Sequence, residues 1–318
     1  MSERKLVMGV DIGGTKIAAG LVDSDGNIVR QLRHPMVANR TPEAGLQAVI
    51  EAIDTLASAD GSSSTFDAIG ICAPGPLDPK TGIILNPPNV PCWRNYPLAE
   101  KVSSRYKQPV KVDNDGNAAA LAETLWGAAK GYRYVFYATL GTGIGSGIVI
   151  DGKIYHGRTG SAAEGGHVSI DYNGPVCGCG KRGCIEALAS GPAIGKRAQA
   201  KVAADPARAK AILDAAKGGV VASEHVGQAF AVGDPLAREI LKETVDLLTA
   251  WLGNIVDLLD PDVIVMGGGV SAMIKPFFAD MKANLPSRCV NPHVSEIPLV
   301  MARYGADAGI AGGAALCA

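Results

Sequence analysis

Two periods alternate along the chain. Residues 6–10 form a short apolar run that ends at Asp11. A run of that length, stopped by a charge, reads as a strand and is too short for a signal h-region. The turn Asp11-Ile-Gly-Gly-Thr-Lys16 follows, residues 17–22 return as a second strand, and Asp25-Gly26 marks the next hairpin turn. From Thr41 the period becomes helical. Thr41-Pro42-Glu43 supplies an N-cap, a first-turn proline and an acidic first turn. Ala44, Leu46, Val49, Ile50, Ile53, Leu56 and Ala57 then form the apolar stripe of a helix running to about Ala59. A surface loop at 61–65 leads to a buried strand over 67–73, stopped by Pro74-Gly75-Pro76. The Pro/Asn-rich stretch to about Pro97 predicts a long loop, and such loops inside compact domains are usually functional. Residues 110–112 read as a short strand and 115–129 as a helix.

The second half starts over. Residues 134–140 are a strand, Gly141-Thr-Gly-Ile-Gly-Ser-Gly147 a turn, 148–150 a strand and Asp151-Gly152 a hairpin turn. That order repeats residues 6–26, which points to an internal duplication of one ββ unit. Residues 191–259 are helical with breaks at Asp205-Pro206 and Gly218-Gly219. A buried strand over 262–266 ends in Gly267-Gly-Gly269, and 299–301 and a small-residue helix over 307–316 close the chain. Alternating strands and helices around these turns predict an α/β architecture of two similar lobes, with a cleft near residues 115–135.

Length and composition narrow the picture. At 318 residues the chain holds about two domains, and a hydrophobic fraction of 47% supplies real cores. A net charge of −1 argues against a nucleic-acid surface, and no stretch approaches membrane-spanning length. Cys72, Cys92, Cys289 and Cys317 are scattered, which suggests a reducing cytosol and not a disulfide framework. The 40 glycines concentrate in particular turns, as expected where backbone approaches a ligand closely.

The other three cysteines lie within eight residues, in Cys177-Gly-Cys179-Gly-Lys-Arg-Gly-Cys184, and His167 sits ten residues upstream. Three thiolates and an imidazole make a closed tetrahedral zinc set, with glycines letting a tight loop wrap one ion. The alternative is a set of reduced thiols in a loop. Gly178-x-Gly180-x-x-Gly183 formally matches a dinucleotide fingerprint, but no apolar strand leads into it and two cysteines crowd it.

No Gly-x4-Gly-Lys-Ser/Thr is present. Instead, Asp11-x-Gly13-Gly14-Thr15 and Leu140-Gly-Thr142-Gly143 are glycine turns between strands, whose successive amides can form an anion nest with a Thr hydroxyl as a further donor. Two such turns could hold two ends of a polyphosphate, and Asp11 could orient a Mg²⁺ through water. They could equally be hairpins that merely need glycine. Asp113-Asn114-Asp115 sits at a strand-to-helix junction, where an Asp is often only an N-cap. Phosphoryl transfer to a hydroxyl needs a carboxylate in reach of that hydroxyl, and either Asp113 or Asp115 would serve. Glu164 and Glu186 bracket the cysteine cluster and suit polyol recognition, although Glu186 could instead anchor the metal site. Gly267, Gly268 and Gly269 fit a shelf for a nucleotide base or ribose, or close helix–strand packing. Trp93 reads as a packing anchor.

Assembled, these residues closely resemble the ROK family (repressors, open reading frames, kinases). The resemblance rests on Asp11-Ile-Gly-Gly-Thr-Lys16, Ala73-Pro-Gly-Pro76, Pro88-Asn89, Asn114-Asp115-x-Asn117, Leu140-Gly-Thr-Gly143, Glu164-Gly-Gly-His167 and Cys-x-Cys-Gly-x-x-Gly-Cys-x-Glu186, in family order over nearly the whole length. It implies an actin/hexokinase-type fold, two ribonuclease-H-like lobes around an interdomain cleft: a small lobe of 1–117 plus about 302–318, and a large lobe of 118–301 carrying the zinc loop. It implies ATP- and Mg²⁺-dependent phosphorylation of a hexose at the 6-hydroxyl, glucose first, by a cytoplasmic homodimer. Asp115 would be the base. Asn89, Asn114, Glu164, His167 and Glu186 would hold sugar hydroxyls, with Gly75 lining the pocket. His167 would serve both a structural Zn²⁺ and the sugar. Asp113 and Gly116 depart from the family's frequent Glu and Ala. Fructose, allose, N-acetylmannosamine and N-acetylglucosamine are alternative substrates within the family. Only five residues precede the first strand, so no DNA-binding module of the repressor branch is expected. An intact Asp115 and both glycine turns argue against a non-catalytic sugar sensor.

Overall fold

The computed structural model describes residues 5–58 and 65–318. The expected helix end at Ala59 and residues 61–64 of the expected surface loop lie outside the described residues. In chain order the elements are β1 (Leu6–Ile12), β2 (Lys16–Asp23), β3 (Ile28–Pro35), α1 (Pro42–Ala57), β4 (Ala68–Ala73), a short hairpin β5 (Leu77–Asp78) and β6 (Ile83–Ile84), α2 (Leu98–Tyr106), β7 (Val110–Asn114) and α3 (Asp115–Leu125). They continue with β8 (Tyr134–Leu140), β9 (Ile144–Ile150), β10 (Lys153–Ile154), α4 (Ile185–Ala189), α5 (Gly191–Ala204), α6 (Lys210–Ala216), α7 (Ser223–Ala231), α8 (Pro235–Leu259), β11 (Val263–Gly267), α9 (Gly268–Ile274), α10 (Phe278–Asn284), β12 (Leu299–Met301) and α11 (Ala308–Ala315).

The chain divides into two compact units. The first is Met1–Tyr137, Gly147–Ala163 and Ala302–Ala318, and the second is Ala138–Ser146 and Glu164–Met301. The family resemblance places the boundary at 117/118. By packing, α3 and residues 147–163 go with the first unit, because α3 lies along α11 and β10 lies against α3.

The first sheet has the order β3-β2-β1-β4-β7. Tight turns make β1–β2 and β2–β3 antiparallel, and the crossovers through α1 and α2 make β1–β4 and β4–β7 parallel. Strand β4 is buried throughout, as its unbroken apolar sequence requires. Strand β3 alternates half-buried and exposed residues along the sheet edge. The pleat sorts β2 between two layers. Ile17, Ala19 and Leu21 join the α1 side with Val49, Ile53 and Leu56, whereas Ala18 and Val22 join Ile310 and Ala314 of α11.

Helix α11 lies directly on the sheet backbone. Gly20, Gly9 and Gly70 are register partners across β2, β1 and β4. A Cβ at Gly9 would lie 2.0 Å from the Ile310 carbonyl oxygen, and one at Gly70 would lie 1.7 Å from that of Gly313. The glycine stripe is a seat for a helix made of small residues. Beside it, the wholly buried Glu123 of α3 accepts N–H groups from Arg303 (2.7 Å), Tyr304 (3.1 Å) and Ala128 (2.7 Å), tying the returning segment to α3.

The second sheet has the order β10-β9-β8-β11-β12. Each sheet has three consecutive strands running outward from its centre and two later strands on the other side. The duplication therefore extends from a ββ unit to a five-stranded sheet. In the second unit the 25-residue α8, capped by Asp234 on the Ala237 N–H at 2.7 Å, forms the hub against α4, α5 and α7. The helical stretch also breaks at Gly233-Asp234, beyond the two breaks expected from sequence.

Candidate active site

In the first unit, Asp11, Cys72 and Asp113 are register partners near the ends of β1, β4 and β7. The 13–16 turn closes through Gly13 N–H on the Lys16 carbonyl at 2.9 Å. Thr15 and Lys16 are exposed there. A Cβ on Gly14 would sit 2.7 Å from the Asn89 carbonyl oxygen, so glycine brings this turn onto the Pro/Asn-rich loop. That loop is anchored by Trp93, fully buried, stacked on Tyr96 at 5.5 Å and donating to the Pro42 carbonyl at 3.1 Å. Asn114 is the N-cap of α3, its Oδ1 accepting the Gly116 N–H at 2.9 Å. Asp115 Oδ1 accepts the same N–H at 2.8 Å. Gly75 lies by Asn114, since a Cβ there would be 3.7 Å from Asn114 Nδ2. The first unit thus brings Asp11, Gly14, Gly75, Asn89, Asn114 and Asp115 to neighbouring strand ends and loops.

Burial and the Asp115 charge push the Asp11 carboxyl up to about 6, against the pull of Lys16 and Arg33. Burial also raises Asp115, opposed by its hydrogen bonds from Gly116, its own amide and Asn114. A carboxylate poised above the usual range is a stronger base than a solvated one.

In the second unit, Glu164-Gly165-Gly166-His167 is fixed through its peptide groups. Gly165 N–H donates to Ser146 Oγ at 2.9 Å, and Trp251 Nε1 donates to the Gly165 carbonyl at 3.1 Å. A Cβ on Gly166 would lie 1.9 Å from the Ile144 carbonyl oxygen, so this turn rests on the 140–144 turn. The cysteine loop folds back through Cys177 N–H on Lys181 (2.7 Å) and Gly183 N–H on Pro175 (2.9 Å), with Gly180 and Gly183 at positive φ. Cys184 directly precedes α4, which puts Glu186 in its first turn. Glu186 Oε2 accepts the Ile144 N–H at 2.9 Å, and Oε1 is 4.0 Å from His167 Nδ1.

One ligand atom each from His167, Cys177, Cys179 and Cys184 lies within 4.8 Å of every other. Cys179 and Cys184 sulfurs are 3.7 Å apart, and Cys177 Sγ is 3.6 Å from His167 Nδ1. Tetrahedral zinc, with bonds of about 2.3 Å to sulfur and about 2.1 Å to nitrogen, requires edges of about 3.8 Å and about 3.6 Å. The set fits that ion. Burial and the neighbouring sulfurs push the Cys184 thiol up to about 12, and burial raises Cys177, whereas the hydrogen bond from the Lys181 amide lowers Cys179; a bound cation would favour the thiolate at all three.

Two glycine runs meet in the same unit. Gly267 ends β11 and caps α9, and a Cβ on Gly268 would lie 2.3 Å from the Leu140 carbonyl oxygen. Gly141, Thr142 and Gly269 line a largely apolar cavity of about 1160 Å³, and a Cβ on Gly143 would lie 2.6 Å from Glu186 Oε2. Sequence reasoning missed the other walls of this cavity, including Gly191 and Lys196 of α5, Ser223 of α7 and Met273 of α9. The only local signal was Ser190-Gly191-Pro192, a helix start beside the turn, where Gly191 N–H donates to the Gly141 carbonyl at 2.8 Å. It also missed the pairing of His156 with Asp113.

Residues 7–318 match the ROK family model. The chain belongs to the ROK family. It is 40% identical over 268 residues to a glucokinase of Streptomyces coelicolor, an alignment covering 84% of this chain and 82% of that protein. It is 33% identical to an N-acetylmannosamine kinase of Escherichia fergusonii, over 97% of each. The crystal structure of a ROK glucokinase from Streptomyces griseus, in complex with glucose and AMPPNP, superposes with a TM-score of 0.83 at 37% identity and 98% coverage of both chains. The α/β fold expected from sequence, of actin/hexokinase type, is the fold that this ROK chain adopts. Among the described residues no helix is long and apolar enough to cross a membrane.

Proposed function

We propose that the protein is an ATP-dependent hexose kinase that phosphorylates the 6-hydroxyl, with glucose the leading substrate. The observation that carries this reading is the carboxylate of Asp115, which reaches the surface in the first turn of α3 yet has its pKa raised by the desolvating protein around it, beside Asp11, in a ROK chain similar to glucokinases over most of its length. Asp115 accepts the proton of the attacking 6-hydroxyl as its oxygen bonds to the γ-phosphorus. The bond from that phosphorus to the bridging oxygen breaks, and ADP leaves with the electron pair. Asn89, Asn114, Glu164, His167 and Glu186 hold sugar hydroxyls, with Gly75 giving the sugar room. The amides of Gly13, Gly14, Thr15 and Gly143, with Lys16 and the Thr142 hydroxyl, receive phosphate oxygens. The cavity beside Gly267, Gly268 and Gly269 takes the base and ribose. Mg²⁺ on the nucleotide, oriented by Asp11, would offset phosphate charge.

His167, Cys177, Cys179 and Cys184 would hold a structural Zn²⁺, which fixes His167 through Nδ1 and leaves Nε2 for the sugar. Support comes from the ligand spacing and from Glu186, which lies against both the metal set and the 140–144 turn. The reading extends to a cytoplasmic homodimer, as the family resemblance implies. Kinases of N-acetylmannosamine align over as much of the chain, so an N-acetylhexosamine is the second reading for the acceptor.

A coupled ADP-release assay with ATP and Mg²⁺ on glucose, fructose, mannose, allose, N-acetylglucosamine and N-acetylmannosamine tests the proposal. A strong rate on glucose supports it, a strong rate only on an N-acetyl sugar favours the second reading, and silence on all six rejects both.

A further inference from the structure

Asp113 is a buried carboxylate with every visible hydrogen bond aimed at the start of α3 or at one imidazole. Its Oδ1 accepts the Asn114 N–H at 2.7 Å and Asn117 Nδ2 at 3.2 Å. Its Oδ2 lies 2.6 Å from His156 Nε2. The Asp113 side chain is 5% exposed and that of His156 31%, so the imidazole caps the carboxylate on its solvent side. His156 stands two residues beyond β10, and its carbonyl accepts the Ala162 N–H at 3.2 Å, which fixes the loop that carries it.

We propose that His156 is a positioning residue for phosphoryl transfer, acting through Asp113 to hold the Asn114-Asp115 turn in its reactive geometry. The inference rests on the reading of Asp115 as the base. The physical reason is charge. Asp113 shares its surroundings with Asp11 and Asp115: burial first, and then the charges of all three, push the Cys72 thiol up. A buried carboxylate oxygen left without a donor bears the desolvation penalty of an unsatisfied charged group. Without the imidazole, Oδ2 would swing towards another donor and draw Oδ1 off the Asn114 amide and off Asn117, whose own Oδ1 is buried and has no hydrogen-bond partner. His156 supplies the facing donor, and Asp113 in turn raises the imidazole's pKa, with burial and Lys80 opposing. Two residues along the chain from Asp113, a shift of the Asn114 peptide moves Asp115 directly.

The test compares His156→Leu, His156→Gln and Asp113→Asn with wild type, each checked for folding by thermal melt. Under the proposal, His156→Leu lowers kcat about tenfold or more while the KM for ATP stays within twofold. His156→Gln, which keeps a donor for Asp113, recovers most of that loss. His156→Leu and Asp113→Asn together cost no more than the worse single variant, because they break one contact. A kcat for His156→Leu within twofold of wild type, additive losses in the double variant, or a loss that only tracks a lowered melting temperature would overturn it. An activity-free readout separates this inference from the kinase reading: the His156 imidazole pKa, followed by NMR, falls in Asp113→Asn. If wild type turns over no sugar, the kinase reading fails. If it turns over sugar but the imidazole pKa does not respond to Asp113→Asn, only this inference fails.

Discussion

Glu186 Oε2 accepts the Ile144 amide N–H at 2.9 Å, while the other oxygen of the same carboxylate lies 4.0 Å from His167 Nδ1. One side chain therefore joins a glycine turn to the His167–cysteine cluster. The turn passes so near that a methyl on Gly143 would stand 2.6 Å from Oε2. Gly143→Ala should push the carboxylate aside and break its bond to Ile144. A hydrogen bond to a charged group contributes about 1.5–3 kcal/mol, so the sugar KM should rise about tenfold or more while the melting temperature changes little. Steady-state kinetics in both substrates, beside a thermal melt, would check this. An unchanged sugar KM would separate Glu186 from sugar binding.

Metal content gives a second prediction. One zinc per chain is expected by elemental analysis. Chelation should raise the sugar KM before it unfolds the first unit, because the ligand set lies wholly in the second. Chelated protein that keeps its sugar KM would show that the metal set does not position the sugar residues.

The pH dependence follows from the raised carboxyls. Asp11 titrates at about 6, and Asp115 is also raised by burial. A raised carboxyl keeps its proton to higher pH, so activity should fall as pH drops through about 6, not through the ordinary aspartate range near 4. The two groups interact, so the acid limb of kcat/KM reports the pair together. An acid limb at about 4 would mean that the free protein holds these carboxyls in a more solvated setting.

The seat of α11 is a stability prediction. Gly70→Ala would place a Cβ 1.7 Å from the Gly313 carbonyl oxygen, and backbone cannot rotate away as a side chain can. Overpacking of this kind costs about 3 kcal/mol. A thermal melt should show the loss clearly. A melting temperature unchanged from wild type would mean that α11 lifts off the sheet at little cost.

What the sequence disclosed depended on how local each signal was. Strands β1 and β4 were legible because their burial makes unbroken apolar runs. The His/Cys cluster was legible because three of its four side chains fall within eight residues. Strand β3 was not, because an edge strand carrying Arg30, Gln31, Arg33 and His34 shows little apolar signal. The Gly20–Gly9–Gly70 seat exists only once three strands fall into register, so no single segment announces it. The contact between His156 and Asp113 spans 43 residues and needs β10 to lie against α3. The walls of the large cavity come from α5, α7 and α9, helices whose polar and apolar periods report packing and say nothing of a ligand.

The most direct measurement is glucose-dependent ADP release by wild type and Asp115→Asn, side by side, with both proteins shown to be folded. Removing a general base costs about 10²–10⁴ in rate. The account predicts turnover by wild type and a loss of at least two orders of magnitude in Asp115→Asn, with glucose affinity largely retained. Turnover by Asp115→Asn within tenfold of wild type would contradict it.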